Sequence, residues 1–328
     1  MTTFLAIETS CDETAAAVFT DDLRVLSSVV ASQDVLHTPF GGVVPEIASR
    51  AHVRTLFPVI DDALAKAGLK LADIGCIAVH NTPGLVGALL VGVTAAKALA
   101  AALGVPLIAV NHVASHIYAC RLAAGRDIFP CVGLVVSGGH TALFRCETAL
   151  EMTFLGGTRD DAAGEAFDKV AAILGIGFPG GPNLEREATD GKPKAFEFPR
   201  AFIKDERLEF SFSGLKTAVL YAKRDNPNAT RADLAASFQE AVVDVLASKC
   251  RQALRQSGLK RLAVGGGVIA NKRLRTKLET MCQEENAELF IPPMNLCTDN
   301  AAMAALAVEK WKLGQFAAPD LDAEPNFL

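Results

Sequence analysis

Two histidines stand four residues apart in the run VNHVASHIYA, at His112 and His116. On an α-helix this spacing places both imidazoles on one face, where they can bind a single metal ion. The chain holds six histidines, so the pair concentrates a third of them at ligand spacing. The same spacing also suits a helix N-terminus with one structural and one solvated histidine. Two ligands do not complete a site, so a metal centre requires a further ligand from elsewhere in the chain.

Glycine-rich segments recur between residues 137 and 267 and could expose backbone N–H groups to an anion. Their recurrence favours nucleotide binding over ordinary turns, although none has the GxGxxG spacing of a dinucleotide site. A tight hairpin is the alternative for the first of them. The segments are Ser137-Gly138-Gly139-His140-Thr141, Pro179-Gly180-Gly181-Pro182 and Gly265-Gly266-Gly267, which leads to Asn271.

Acidic residues cluster at two further places. Asp161, Glu165 and Asp168 would form one stripe on a helix. Aligned carboxylates repel one another unless they bind ribose hydroxyls, a cation or a basic partner. Near the N-terminus, a polar turn contains Asp12 and Glu13, and it is either a functional acidic turn or a plain hairpin turn. The remaining isolated histidines, His37, His52 and His80, are assigned no role beyond a local hydrogen bond.

The elements that must position these residues follow from apolar runs and turn signals. Three short strands open the chain, and the strand–helix–strand order that follows them predicts a parallel unit in a mixed sheet. The apolar run 105–110 precedes the histidine-bearing helix, and Cys131–Ser137 pairs with Thr141–Cys146 across the Gly-Gly turn. Hairpin strands followed by crossover helices occur twice. The sequence therefore predicts two related α/β lobes with a cleft between them.

Composition indicates a folded α/β protein, with 328 residues of which 50% are hydrophobic and 21% charged. We expect no signal peptide, because the first residues lack a basic region and lead directly into a strand. The apolar stretch 85–103 carries Lys97 and reads as a buried helix, so no membrane association is expected. The eight cysteines are scattered without a CxxC pair, as in a reduced cytoplasmic protein.

Charge is distributed unevenly along this acidic chain of net charge −5. Residues 186–277 contain 19 Lys and Arg against 10 Asp and Glu, and the remainder contains 13 against 27. A basic middle segment suggests a localised anionic partner. Ordinary solvated helix faces are the alternative.

Several motifs coincide with one family. The chain resembles the TsaD family of tRNA adenosine threonylcarbamoyltransferases from Phe4 to about Ala305, with the motifs in family order. The matching segments are IETSCDETAAAV, HTPFGGVVPEIASRAHV, NTPGLVGALLVGVTAAKALA, VNHVASHIYA, LVVSGGHTAL, DDAAGEAFDKVA, PGGP, FSFSGLKTAV, VGGGVIANKRLR and CTDNAAMAA.

The resemblance implies an α/β fold of two related actin-like (ribonuclease-H-like) lobes. Each lobe would have a mixed sheet flanked by helices, with a central nucleotide cleft. We expect residues 1–111 to form the N-terminal lobe, completed by a C-terminal helix at 300–328. Residues 112–299 would form the second lobe, carrying the metal histidines and the glycine loops.

The resemblance also implies the site residues. One divalent metal ion, Fe²⁺ in preference to Zn²⁺, would be held by His112, His116 and Asp299. Asp12 and Glu13 are the catalytic candidates. In many members an Asp stands where this chain has Glu185. The implied nucleotide-binding residues are Val135, Val136, Ser137, Gly138, Gly139, Asp168, Gly181, Glu185 and Asn271.

The implied reaction transfers a threonylcarbamoyl group from threonylcarbamoyl-adenylate to the exocyclic amine of the adenosine 3′ of a tRNA anticodon. The tRNAs are those reading codons that begin with A, and AMP is released. Implied partners are the tRNA anticodon loop, a paralogous subunit and a small ATPase. A small-molecule kinase of the same fold and a non-catalytic subunit remain alternatives. A metalloprotease is disfavoured because the HxxxH pair lacks the glutamate of HExxH.

Overall fold

The computed structural model describes residues 1–326. The chain divides into two compact units, Met1–Arg126 with Asp299–Leu328, and Asp127–Thr298. Residues 327 and 328, the end of the predicted C-terminal helix, lie outside the described residues. In the described part each unit contains a five-stranded mixed sheet flanked by helices, which confirms the predicted α/β class.

The sheet of the first unit combines an antiparallel opening with parallel strands. Its strands are Thr3–Glu8 (β1), Glu13–Thr20 (β2), Val25–Ser32 (β3), Cys76–Thr82 (β4) and Leu107–Asn111 (β5). Their order is β3-β2-β1-β4-β5. β1 pairs antiparallel with β2 and parallel with β4. β4 pairs parallel with β5, which confirms the parallel unit predicted from the strand–helix–strand order. β1 and β2 are buried on both faces, whereas the edge strand β3 is largely accessible.

The helices of the first unit begin and end at positions that the sequence marks. Those before residue 126 are Asp34–His37 (α1), Pro45–Ala67 (α2), Val86–Leu103 (α3) and His112–Ala124 (α4). Pro45 occupies the first turn of α2, where proline costs no hydrogen bond. Three of the helices end at a glycine in the left-handed conformation that favours this residue: Gly68, Gly104 and Gly125.

The apolar helix α3 is long and hydrophobic enough, by length and composition alone, to cross a membrane. It packs against β4 and α2 and buries Ala88, Leu89, Val93 and Ala96 in the apolar core of its unit. These contacts are those of a core helix, as predicted.

The second unit repeats the mixed-sheet arrangement. Its strands are Cys131–Val136 (β6), Thr141–Cys146 (β7), Met152–Gly157 (β8), Arg261–Gly265 (β9) and Glu288–Phe290 (β10). The order is β10-β9-β6-β7-β8, with β6 antiparallel to β7 and parallel to β9. The strands β8 and β10 were not predicted. β8 is a largely accessible edge strand and β10 has three residues, so both lack an apolar run.

Five helices follow in the second unit, within the described residues. They are Ala163–Leu174 (α5), Gly180–Ala188 (α6), Ser213–Asp225 (α7), Arg231–Ser257 (α8) and Lys272–Glu284 (α9). The long helix α8 is buried along much of its length and packs against α6, α9 and β6. α6 begins with two glycines, which are poor helix formers, and the sequence pattern predicts a loop there instead.

The contacts place the unit boundaries at positions that differ from the predicted ones. The histidine-bearing helix α4 belongs to the first unit, because it follows β5 directly and packs against the 3₁₀-helix Ala301–Leu306. The predicted helix 300–328 is also shorter: α10 (Ala307–Lys312) ends before Gly314, which has a positive φ of 68°. Pro319 and Pro325 then stand in irregular chain, where proline cannot continue a helix.

Candidate metal centre and substrate-binding loops

Three side chains of the first unit form a potential metal-binding site. One ligand atom from each of His112, His116 and Asp299 lies within 4.8 Å of the other two. Asp299 Oδ1 is 3.5 Å from His112 Nε2 and 3.2 Å from His116 Nε2. Both histidines are buried. The structure therefore brings together the two residues predicted from spacing and the one implied by the resemblance.

Local capping explains why the two histidines share a helix face. The Asn111 side chain accepts a hydrogen bond from Ala114 N (2.9 Å) and caps α4. The helix therefore starts at His112, and His116 lies one turn later. At the other end of the chain, Asn300 caps the 3₁₀-helix that packs against α4 (Asn300 Oδ1 to Met303 N, 3.1 Å). Asp299 precedes that cap and so reaches the histidines.

The donor set suits a divalent cation. His116 Nε2 is buried and, among the described residues, forms no hydrogen bond of acceptable geometry despite its proximity to Asp299. An imidazole lone pair left in this way is suited to a metal, and two His with one Asp is a ligand set for zinc or ferrous iron. Burial raises the pKa of Asp299, but the charge of His112 and the close contact and charge of His116 together outweigh it, so the pKa lies below its usual value. The carboxylate therefore stays ionised.

The two histidines differ in basicity. Burial lowers the pKa of His112, but the negative charges of Asp299 and Glu8 outweigh it and raise that pKa to about 9. Burial dominates at His116 and lowers its pKa. The two carboxylates create a region of negative charge that attracts cations. A proton and a metal ion therefore compete for His112.

Contacts from the neighbouring helix α2 hold the acidic turn that follows β1. Its backbone is held by His52 of α2, whose Nε2 lies 2.9 Å from Cys11 O and whose Nδ1 lies 2.8 Å from Thr14 Oγ1. Burial, followed by the charges of Asp299 and Asp12, raises the pKa of Glu13 well above its usual value.

Asp12 of the same turn behaves similarly. Burial raises its pKa, and the charge of Asp299 adds to the rise. The structure thus places the predicted acids Asp12 and Glu13 within electrostatic range of Asp299. His52, to which the sequence assigned no role beyond a local hydrogen bond, supports this turn.

In the second unit, the glycine-containing loops that follow β6 and β9 lie close together, with their backbones in contact. The Ser137 turn closes on itself, with Ser137 N donating to His140 O (2.8 Å). A Cβ on Gly164 would lie 2.7 Å from Ser137 O, and one on Gly266 would lie 2.3 Å from Val136 O. Gly138 and Gly139 instead face open space. Val135 and Val136 are buried strand residues that anchor this turn.

The acidic stripe predicted on α5 has a basic partner within the chain. Asp161 precedes the first turn of α5, and Lys169 Nζ contacts Asp161 Oδ1 (2.7 Å) and Glu165 Oε1 (2.9 Å). Lys169 therefore relieves the repulsion that suggested a ligand. The third member, Asp168, accepts a hydrogen bond from Gly180 N (2.8 Å) and fixes the start of α6.

The start of α9 engages two further predicted residues. Asn271 Oδ1 accepts from Leu274 N (2.9 Å) as a helix cap, while its Nδ2 donates to Gln239 Oε1 (2.7 Å). Glu185 Oε1 accepts from Lys272 N (2.6 Å). Both side chains thus have structural partners. Asn is a favoured residue at the start of a helix, whereas the contact of Glu185 with Lys272 had no local signal in the sequence.

Comparison with known proteins identifies the family. The family model for TsaD, tRNA N6-adenosine threonylcarbamoyltransferase, matches residues 24–306. A curated relative of that name from Rhodopirellula baltica is 51% identical, over 98% of this chain and 96% of its own length. Another from Anaeromyxobacter dehalogenans is 52% identical over 99% of both chains. The chain belongs to the TsaD family. It is therefore a transferase that acts on tRNA.

Solved structures support the actin-like fold of this TsaD family member. Component A of (R)-2-hydroxyglutaryl-CoA dehydratase from Acidaminococcus fermentans aligns with a TM-score of 0.56 at 14% identity, covering 94% of this chain and 99% of that one. Full-length HypF aligns with a TM-score of 0.65 at 13% identity, covering 96% of this chain and 56% of that one. At such identities the likeness concerns the fold alone.

The basic segment 186–277 of this TsaD family member carries extensive ion pairing. Glu240 contacts Arg273 and Lys277, and Glu285 contacts Arg251 and Arg255. Glu240 is already included in the count for the segment, so of these pairs only the contacts of Glu285, which lies outside it, offset part of the positive balance counted from the sequence. The excess of charge is therefore weaker as an argument for an anionic partner than the count alone suggests.

Proposed function

We propose that this protein transfers the threonylcarbamoyl group from threonylcarbamoyl-adenylate to tRNA. The acceptor is the exocyclic amine of the adenosine 3′ of the anticodon in tRNAs reading codons that begin with A. AMP is released. The observation that carries the proposal is the convergence of His112, His116 and Asp299 next to an acidic turn, in a chain of this family. Anticodon loops are single-stranded, so the base is available without melting a duplex.

One divalent ion per subunit completes this site, with Fe²⁺ favoured over Zn²⁺. His112, His116 and Asp299 hold it. When bound, the ion supplies Lewis acidity toward the donor's carbonyl and phosphate oxygens. The donor is a mixed anhydride with AMP as a good leaving group, so the protein contributes orientation and charge neutralisation more than a strong nucleophile.

The acidic turn handles the acceptor amine. Asp12 orients the amine, and Glu13 accepts its proton as the new N–C bond forms and the C–O bond to AMP breaks. Burial and neighbouring charge raise the pKa values of both groups. A carboxylate with a raised pKa is a stronger base than an exposed one, which suits general-base catalysis.

The glycine loops of the second unit bind the AMP portion of the donor. Open space at Gly138, Gly139 and Gly181 leaves their backbone accessible to phosphate or ribose. A carboxylate has about four acceptor positions, so Asp168 and Glu185 can accept a backbone N–H and still bind ribose. The remaining assigned residues are Val135, Val136, Ser137 and Asn271.

A transfer assay tests this function. The purified protein is incubated with adenylate donor and unmodified tRNA, and threonylcarbamoyladenosine is measured in the digested tRNA. We expect the wild type to form the product and His112→Ala to lose transfer, although the same donor is supplied to both. Unchanged transfer by His112→Ala would refute the metal role. Phosphate transfer from ATP to a small molecule would favour the kinase alternative instead.

A paralogous partner subunit and a small ATPase complete the proposed working complex in the cytoplasm, with no membrane involved. Exposed apolar side chains on neighbouring helices α2 and α3 support a protein partner. Val53 is 64% exposed, Phe57 53% and Val86 53%, and such side chains in one region mark interaction surfaces. Phe57→Asp is expected to abolish co-purification with the partner without lowering the Tm, and retained co-purification would contradict this surface.

The tRNA backbone is proposed to contact the basic segment 186–277. Because part of its charge is paired internally, we expect only a few phosphate contacts and a shallow salt dependence of tRNA binding. The slope of the logarithm of affinity against the logarithm of salt concentration measures this directly.

A further inference from the structure

Glu8 is a fully buried carboxylate beneath the histidines of the first unit. It is the last residue of β1 and has no exposed surface. Burying a carboxylate is costly unless charged or hydrogen-bonding partners surround it. Neither the spacing of residues nor the proposed reaction assigns Glu8 a role.

The partners of Glu8 are two imidazoles and one backbone amide. Its Oε2 lies 3.0 Å from His112 Nδ1, within hydrogen-bond distance, and Ser10 N donates to its Oε1. His80 Nδ1 lies 2.7 Å from the same Oε2 in a close ion-pair contact that, within the described residues, lacks the geometry of a hydrogen bond. Glu8 Oε2 is therefore an acceptor for His112 Nδ1.

A carboxylate oxygen 3.0 Å from Nδ1 favours an N–H on that nitrogen of His112, where the Ser10 hydroxyl oxygen, also at 3.0 Å, is a second contact. The proton is placed on Nδ1, where it is donated to Glu8, and the lone pair is left on Nε2. Nε2 is the atom that faces Asp299, at 3.5 Å. A carboxylate behind a histidine ligand fixes the ring and increases its basicity toward a metal.

We propose that Glu8 is a positioning residue of the metal centre and that His80 holds Glu8 in place. This inference rests on the proposed metal binding by His112, His116 and Asp299. Glu8 acts through His112 and does not itself bind the ion.

The anchoring of His80 supports this role. His80 Nε2 lies 2.9 Å from Ser115 Oγ, and Ser115 is the neighbour of His116 on α4. The Ser115 hydroxyl also lies 2.9 Å from Asn111 O at the start of that helix. One buried network therefore connects β1, β4 and the ligand-bearing helix.

The second histidine provides an internal contrast. His116 Nδ1 is buried and, within residues 1–326, has no hydrogen-bond partner. The carboxylate support is thus specific to His112, and loss of Glu8 should change one ligand and leave the other in place.

Zinc affinity measured by competition with a chromophoric chelator tests the proposal without any activity assay. We expect Glu8→Gln to weaken Zn²⁺ binding by about 10- to 100-fold, as is typical when such a supporting group is lost. The matched control, Glu46→Gln, changes an exposed glutamate of α2 and should bind Zn²⁺ as the wild type does. Equal affinities for wild type and Glu8→Gln would overturn the proposal.

Substitutions at His80 keep the test decisive if Glu8→Gln does not fold. His80→Asn retains an N–H donor near Nδ1 and should stay near wild-type affinity, whereas His80→Ala should weaken Zn²⁺ binding. Equal affinity in wild type and His80→Ala would overturn the anchoring role. Absence of Zn²⁺ binding by the wild type would instead overturn the metal centre itself, so the two failures are distinguishable.

Discussion

Asp299 Oδ1 lies 3.2 Å from His116 Nε2, although the two residues stand far apart in the chain. The contact exists because the 3₁₀-helix Ala301–Leu306 packs against α4. Asp299→Asn keeps the side-chain shape but removes the charge that attracts a cation. We expect it to lose bound metal and transfer activity together with little change in Tm, measured by elemental analysis and the transfer assay. Asp320→Asn, at an exposed position, should retain both, and a metal-loaded Asp299→Asn would contradict the assignment.

His52 provides a second prediction, about the acidic turn. Its Nε2 donates to Cys11 O (2.9 Å), so Nδ1 accepts from the Thr14 hydroxyl. His52→Gln reaches the Nε2 position and can still donate to Cys11, whereas His52→Asn cannot. Leaving a buried carbonyl unpaired costs about 1–3 kcal/mol.

We therefore expect His52→Asn to lower kcat of transfer and the free energy of unfolding, and His52→Gln to restore much of both. Steady-state kinetics and urea unfolding measure the two quantities. Equal behaviour of the two variants would show that the bond to Cys11 does not hold the turn.

Substitutions at two glycines of the second unit are expected to affect different properties, one stability and the other nucleotide binding. Gly266 has a positive φ of 101°, and a Cβ there would lie 2.3 Å from Val136 O. Gly266→Ala should lower the free energy of unfolding by roughly 1–3 kcal/mol through backbone strain and collision. Gly139 faces open space, so Gly139→Ala should fold normally but bind AMP more weakly.

Urea unfolding and AMP titration by calorimetry check this pair. Normal AMP binding by Gly139→Ala would count against nucleotide contact at this turn. If Gly266→Ala is as stable as the wild type, the loop after β9 can shift to accommodate a Cβ, which would contradict the predicted strain.

Glu240 sets a pH dependence of stability in the second unit. A hydrogen bond from Arg273, assisted by Lys277, lowers its pKa from 4.5 to about 2. Because the folded pKa is the lower one, the pairing stabilises fully above pH 4.5 and is lost as the pH falls toward 2. Glu240→Gln should flatten the decline in unfolding free energy over this interval, measured by urea unfolding at several pH values. If the free energy of unfolding of Glu240→Gln declines with pH as that of the wild type does, other carboxyl groups cause the decline.

Local patterns predicted part of the site from the sequence. His112 and His116 share a helix face because of their spacing, and Gly138 and Gly139 form a turn because of their conformational freedom. Asp299 had no such signal, and the resemblance alone implied it. Its position depends on packing between distant segments, which no local pattern encodes.

Other features of the site and fold depend on side-chain contacts and strand pairing that residue spacing does not reveal. Lys169 lies one helical turn after Glu165 on α5 and contacts both Glu165 and Asp161, which neutralises that part of the stripe. His80 and Glu8 meet because β1 and β4 are adjacent parallel strands. The sequence pattern does not predict the edge strand β8, because its residues are largely accessible and lack an apolar run.

Removal and restoration of the metal tests the central claim most directly. The protein is stripped with a chelator, Fe²⁺ or Zn²⁺ is added back in steps, and transfer to unmodified tRNA is measured in a single turnover. We predict that transfer is lost on stripping and recovers to a plateau at one equivalent of metal per chain, with no recovery in His116→Ala. Full transfer by the stripped wild-type protein would contradict the account.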